Sequence, residues 1–294
     1  MTETPVTTAC VPAVLPERCG VVGGGRMGAG IAHALLLAGC EVTLVEREGE
    51  AEAARDRVAR AVDGSVRRGL VEDAEKVMTR LVTVARHAEL RRAGLVIEAV
   101  PEDLDLKLVT LRAVEDAVAP DAVIASNTSS ISLDTLAEAL ARPERFLGLH
   151  FFNPVPASRL VEVVIAAATD AVLRERAVGW VEAIGKTAVV VRNAPGFASS
   201  RLGVLLGLEA IRMVESGVAS PEDIDAAMTL GYGHPTGPLR LTDLVGLDVR
   251  LGIARYLERE LGPRFAPPQL LVQLVEQGHL GRKSGKGFYD WSES

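Results

Sequence analysis

The run Gly23-Gly24-Gly25-Arg26-Met27-Gly28 carries the most specific chemistry in the chain. The Gly23-x-Gly25-x-x-Gly28 spacing lets backbone turn tightly, lets it approach a pyrophosphate without a Cβ in the way, and lets a strand and a helix pack closely. A helix opening at such a turn offers free N–H groups and partial positive charge to an anion. Glu46 follows about twenty residues on, where a carboxylate accepts hydrogen bonds from a ribose 2′-hydroxyl and repels a 2′-phosphate. The pattern predicts NAD held by Gly23, Gly25, Met27, Gly28 and Glu46, with Arg47 next to the acid as a counter-signal toward NADP.

These residues need particular elements around them. Apolar Cys19-Gly20-Val21-Val22 precedes the glycines, and Ile31, Ala32, Leu35 and Leu36 recur behind them at helical spacing, which predicts strand, turn and helix. Glu41-Val42-Thr43-Leu44-Val45 then closes a βαβ unit. Across residues 47–92, Ala54, Val58, Ala61 and Val62 share a helical face that breaks at Arg68-Gly69 and resumes through Val77, Leu81 and Val84, predicting a helical hairpin. This stretch has eleven basic against nine acidic residues, a net +2, in a chain of net −7. Such a balance suits either an anionic ligand or a solvated helix with paired charges.

Further apolar strands are expected near residues 94–100, 122–126, 145–150, 160–164 and 187–191, with helices over 105–117, 133–141 and 170–184. The alternation predicts an α/β fold, a Rossmann-type doubly wound and largely parallel sheet carrying the helical hairpin insertion. Beyond Asn193 only helical periodicity remains, and Ser220-Pro221-Glu222-Asp223 reads as a helix start. The expected organisation is a flexible tail over 1–17, a nucleotide-binding domain over 18–193, and an all-α C-terminal domain over 194–294.

Four more stretches combine with the glycine motif. They are Ile97-Glu98-Ala99-Val100-Pro101-Glu102 with Lys107, Ser126-Asn127-Thr128-Ser129-Ser130, His150-Phe151-Phe152-Asn153-Pro154 with Glu162, and Gly281-Arg282-Lys283-Ser284-Gly285-Lys286-Gly287-Phe288-Tyr289. Together, from about Arg18 to Trp291, they resemble the 3-hydroxyacyl-CoA dehydrogenase family, in particular its 3-hydroxybutyryl-CoA dehydrogenase-like members. The resemblance implies NAD-dependent, reversible oxidation of short-chain L-3-hydroxyacyl-CoA to the 3-oxoacyl thioester. It implies His150 as the base, Glu162 as its partner, and Ser129 as a substrate ligand close to the nicotinamide. Glu102, Lys107, Asn153 and Lys283 match cofactor-contacting positions, and Arg68 lies where the family's hairpin carries a basic residue near CoA. Where the family commonly has asparagine after Pro-Gly-Phe, this chain has Ser200, which is shorter and cannot donate and accept at two separated points. The histidine chemistry is sound on its own terms, since imidazole titrates near neutrality and can take a hydroxyl proton as hydride leaves carbon.

Composition narrows the alternatives. A net charge of −7 and a sequence pI near 5.4 do not suit a nucleic-acid partner. Apolar runs such as residues 31–38 and 94–100 fall short of the roughly 18 residues that span a bilayer. Three cysteines without a C-x-x-C pair fit reduced thiols in the cytoplasm, and no cluster has metal-ligand spacing. The apolar stripe Leu202, Leu205, Leu206 and Met213 is expected to cap the cleft, and the family resemblance implies that this segment pairs two copies as a homodimer. Two rivals remain at this level, the same oxidation of a hydroxyacyl group on an acyl carrier protein, and a non-catalytic NAD-binding, crystallin-like relative.

Overall fold

A computed structural model describes residues 14–292. Eight strands and eleven α-helices follow in the order β1 Arg18–Val22, α1 Arg26–Leu37, β2 Glu41–Val45, α2 Ala51–Arg67, α3 Ala74–Met78, β3 Leu81–Val84, β4 Leu95–Glu98, α4 Leu104–Ala117, β5 Val123–Ser126 and α5 Leu133–Ala137. They continue with β6 Phe146–Phe151, β7 Leu160–Ile165, α6 Ala171–Ala183, β8 Thr187–Arg192, α7 Ser199–Glu215, α8 Pro221–Tyr232, α9 Pro238–Val245, α10 Leu247–Leu261 and α11 Gln269–Glu276. The chain divides into two compact units, Met1–Asn193 and Ala194–Ser294.

The first unit holds one sheet in the order β3-β2-β1-β4-β5-β6-β7-β8. All neighbours are parallel except β6 and β7. Every residue of β4, β5 and β6 is buried, as expected for strands covered on both faces. Val21, Leu44, Ile97 and Leu149 pack with Ile31 and Leu35 of α1 and with Trp180 of α6 in one core. Full burial of each such aliphatic side chain contributes about 1.5–3 kcal/mol. In the second unit Val204, Leu208, Leu239, Leu251 and Leu257 form a separate core. Ser220 caps α8 by accepting from the Asp223 backbone N–H at 3.1 Å, with Pro221 in the first turn. Among the described residues no helix is long and apolar enough to cross a membrane.

The hairpin expected over residues 47–92 is corrected in its second half. Its first limb is α2, and the chain turns at Gly69 with a φ of 70°. The return holds only the five residues of α3 before Leu81-Val82-Thr83-Val84 becomes the edge strand β3, in parallel register with β2. Val77, Leu81 and Val84 are spaced as on a helix, but this β-branched run finds backbone partners on β2, and Arg55 donates to the Leu81 carbonyl. Of the tail expected over 1–17, residues 1–13, with Cys10, lie outside the described residues. Val14 to Glu17 are tied down: Val14 accepts from the Trp180 indole at 3.2 Å, Leu15 packs on the core, and Glu17 accepts from the Glu41 N–H.

One polar contact is sealed between α1 and α2. His33, 3% exposed, meets the Ser65 hydroxyl through Nε2 at 2.8 Å. Burial first, and then the positive charges of Arg68 and Lys186, lower its pKa from 6.5 to about 4. Below the ordinary imidazole value the unfolded chain binds the proton first, so the fold loses stability as pH falls from 6.5 toward 4, by at most about 3 kcal/mol. In thermal unfolding followed across that window, the parent Tm is expected to fall more steeply than that of His33→Gln. Parallel curves would show that His33 does not titrate in this way.

Candidate active site

The glycine turn follows directly from β1. Gly23 adopts a φ of 97° and donates to the Val45 carbonyl at 2.9 Å, which locks the turn to the end of β2. A Cβ on Gly28 would overlap the Gly23 carbonyl oxygen, so strand and helix need glycine there. At Gly25, the N-cap of α1, a Cβ would meet nothing within 4 Å. Packing therefore leaves Gly25 unconstrained, and a ligand's approach is the remaining reason for its lack of a side chain. The first turn of α1 has no side-chain cap and no acidic residue, which fits a pyrophosphate at its N–H groups. Glu46 turns its carboxylate to the same place, accepting from Gly24 N–H at 2.7 Å and Arg47 N–H at 2.8 Å. Arg47 is largely in solvent, its Nε 3.6 Å from the Glu46 carboxylate.

His150 and Glu162 stand directly opposite on β6 and β7. Their side chains, on the same face at this register, meet at 2.8 Å between Nδ1 and Oε2, with the residues 6% and 1% exposed. The Phe152 ring lies against the imidazole, centroids 4.5 Å apart. Asn127, after β5, accepts from the Phe151 N–H at 2.8 Å and so ties the serine loop to the strand that carries the histidine.

A second polar group lies at the ends of β4 and β5. Glu98 is fully buried, and its carboxylate accepts from Lys107 Nζ at 2.7 Å, the Val100 N–H at 2.7 Å and the Ser126 hydroxyl at 2.6 Å. Lys107 is 1% exposed and lies 3.4 Å from the outer carboxylate of Glu102. The other oxygen of Glu102 collects the hydroxyls of Thr128, Ser129 and Ser130 and the N–H groups of Ser129 and Ser130, at 2.8–3.2 Å. Burial pushes the Glu102 pKa up, but the Lys107 charge and these hydrogen bonds outweigh it and hold the carboxyl below its usual range.

Glu102, Lys107 and Ser129 are thus brought into one network, and Glu98, Ser126 and Asn127, which join it, were given no role from sequence. Polar residues at the ends of near-continuous apolar strands were the available signal. Lys107 faces carboxylates rather than solvent. Asn153 is exposed just beyond β6. Arg68, which caps the C-terminus of α2, turns back to the Gly64 carbonyl and the Ser65 hydroxyl. In the second unit Ser200 lies in the first turn of α7, and Lys283 binds both Asp248 oxygens at 2.6 Å. Among the described residues no group of three His, Cys, Asp or Glu is placed to hold a metal ion.

The fold and the cradle define a nucleotide-dependent oxidoreductase. The NAD-binding domain of 3-hydroxyacyl-CoA dehydrogenase matches residues 18–194, and the C-terminal domain of the same enzyme matches residues 196–291. The chain belongs to the 3-hydroxyacyl-CoA dehydrogenase family and is an NAD-dependent oxidoreductase. It is 43% identical over 281 residues to 3-hydroxybutyryl-CoA dehydrogenase of Mycobacterium tuberculosis, covering 94% of this chain and 98% of that one. It is 40% identical to 3-hydroxyadipyl-CoA dehydrogenase of Escherichia coli, over 92% of this chain and 58% of that longer protein. Among solved structures, (S)-3-hydroxybutyryl-CoA dehydrogenase from Ralstonia eutropha superposes with a TM-score of 0.90 at 36% identity, over 95% of this chain and all of that one.

The Glu98–Lys107 pair carries a prediction. Lys107→Met leaves a buried carboxylate uncompensated and is expected to lower the unfolding free energy by about 3–5 kcal/mol. Adding Glu98→Gln should recover most of that loss. Urea unfolding of the single and double variants measures it, and purely additive losses would contradict the coupling.

Proposed function

We propose that the protein oxidises short-chain L-3-hydroxyacyl-CoA to 3-oxoacyl-CoA, reversibly, with His150 as the base. The observation that carries this reading is the buried His150–Glu162 contact at the end of the strand next to the serine loop. With Nδ1–H donated to Glu162, the proton-accepting nitrogen of the neutral ring is Nε2. Glu162 fixes the ring orientation and stabilises the imidazolium that forms when the substrate hydroxyl gives up its proton. Bound NAD supplies the hydride acceptor. The backbone of the glycine turn and α1 holds its pyrophosphate, and Glu46 its ribose hydroxyls.

Ser129 and Ser200 orient the substrate by hydrogen bonds. Glu102 sets the position of Ser129 through the five donors it gathers, and Lys107 keeps Glu102 in place from below. Asn153 and Lys283 contact the cofactor in this reading, and Arg68 meets the CoA phosphates if its side chain swings off Gly64. Cys19 and Cys40, both free and buried, accord with a reducing cytoplasm.

His150→Gln is expected to lower kcat by roughly 10²-fold or more on 3-hydroxybutyryl-CoA while the Kd for NAD stays within a few-fold, because only proton transfer is lost. Stopped-flow turnover and NAD titration separate the two quantities, and near-normal turnover would remove His150 from the role. Running the same assay with an acyl-carrier-protein thioester tests the carrier, CoA being the expected substrate.

We also propose a homodimer formed through the second unit. Leu202 is 67% exposed on α7, and Leu241, Leu244 and Val245 of α9 are exposed apolar residues as well. Exposed apolar side chains in such number on two packed helices mark a contact surface. Leu202→Glu should shift sedimentation from dimer to monomer. A parent already monomeric at micromolar concentration would refute the assembly.

A further inference from the structure

Gly24, the middle glycine of the turn, is buried, and neither of its backbone polar groups bonds to backbone among the described residues. Its neighbours differ: the Gly23 N–H donates to the Val45 carbonyl, and the Gly25 carbonyl accepts from the Ala29 N–H. Two side chains hold Gly24 instead. Its N–H donates to Glu46 Oε2 at 2.7 Å, and its carbonyl accepts from Arg57 Nη1 at 2.9 Å. Buried backbone polar groups are costly unless paired, so both side chains are needed at this point of the chain.

Arg57 reaches the turn from α2. Ala54, three residues earlier on the same face of that helix, lies so close to Gly24 that a Cβ there would overlap its methyl group. The helix is therefore seated on the glycine turn by a methyl and a guanidinium together. Arg57 is half-buried and forms no ion pair among the described residues, and its hydrogen bond is the one to the Gly24 carbonyl. Its charge is committed to the turn and to no acid.

We propose that Arg57 is a positioning residue of the cofactor site, which aims the Gly25 N–H at the pyrophosphate of the dinucleotide. This rests on the reading above in which the glycine turn holds that pyrophosphate. The Gly24 carbonyl and the Gly25 N–H belong to one planar trans peptide unit and point in opposite directions, so a donor that fixes the carbonyl fixes the N–H as well. Between two glycines that plane is otherwise free to turn, since neither residue has a Cβ to restrict it. Gly25 is the exposed N-cap of α1, and its N–H has no partner of its own among the described residues. It therefore stands with the free N–H groups of the helix's first turn. A charged donor also polarises the peptide it holds, which strengthens the N–H on the far side as a donor to an anion.

The test is equilibrium binding to the full chain of ADP-ribose, which carries both phosphates, and of adenosine, which keeps the ribose and lacks them. The parent is expected to bind ADP-ribose more tightly than adenosine by at least about tenfold. Arg57→Met should raise the Kd of ADP-ribose and of NAD about tenfold and leave that of adenosine within about twofold. Arg57→Lys keeps the charge and a donor and should recover part of the loss. Arg57→Gln, polar and too short to reach Gly24, is expected to match Arg57→Met and decides the matter if that variant does not fold. Equal weakening of ADP-ribose and adenosine marks a residue that only supports the fold and overturns the role, as does an unchanged Kd for both. A parent that gains nothing from the phosphates overturns the placing of the pyrophosphate at the turn, and the role of Arg57 with it.

Discussion

Strand direction is the constraint on which the site in the first unit depends. Because β1, β2, β4, β5 and β6 run parallel, their C-terminal ends share one edge of the sheet. Gly23, Glu46, Glu98, Ser126 and His150 each fall within a residue of such an end. Open α/β sheets gather ligands there. The reversal at β7 then brings Glu162 to His150 from the opposite strand direction. Register must be held to the residue, because a slip by one would turn Glu162 to the other face and set Val161 or Val163 against the imidazole. The apolar residues flanking Glu162, buried on the opposite face from it, enforce that register: a slipped strand would bury its acid without a partner.

Four carboxylates, Glu46, Glu98, Glu102 and Glu162, crowd this edge, and a carboxylate withdrawn from water without donors is costly. Each instead has its own donors, from the glycine turn, Lys107, the serine loop and His150 respectively. The consequence is positional as much as electrostatic. Strand β4 fixes Glu98, Glu98 holds Lys107, Lys107 faces Glu102, and Glu102 holds the loop that carries Ser129. An ion-pair chain that starts at the buried Glu98–Lys107 contact and ends at partly exposed Glu102 fixes the position of this loop where a free loop would wander.

Much of this was legible in the residues, for definite reasons. The glycine spacing, Glu46 and the strand–turn–helix around them follow from local sterics, and local rules survive folding. His150 and Glu162 could be named as partners by resemblance, but their contact depends on an antiparallel register that no short window contains. Strand β3 was hidden because Val77, Leu81 and Val84 satisfy helical spacing, and only the free edge of β2 decides for a strand. Val14 to Glu17 read as tail because their contacts lie on α6 and β2, far along the chain. The role of Glu98 is not legible in sequence, since an acid at the end of a strand is ordinarily solvated and its three donors come from Lys107, Val100 and Ser126.

The two buried cations show how far such legibility reaches. Lys107 and Arg250 are nearly equally buried, and both break an apolar pattern. Lys107 is answered within its own domain, so its cost is offset by Glu98 and Glu102 and it accounts for itself as architecture. Arg250 packs against Gly203 and Gly207 of α7 and has no ion pair among the described residues, although Asp243 and Asp248 stand only seven and two residues away in sequence and are both committed to other donors. The distinction between the two cations could not be drawn from sequence, because it lies in where the neighbouring carboxylates point.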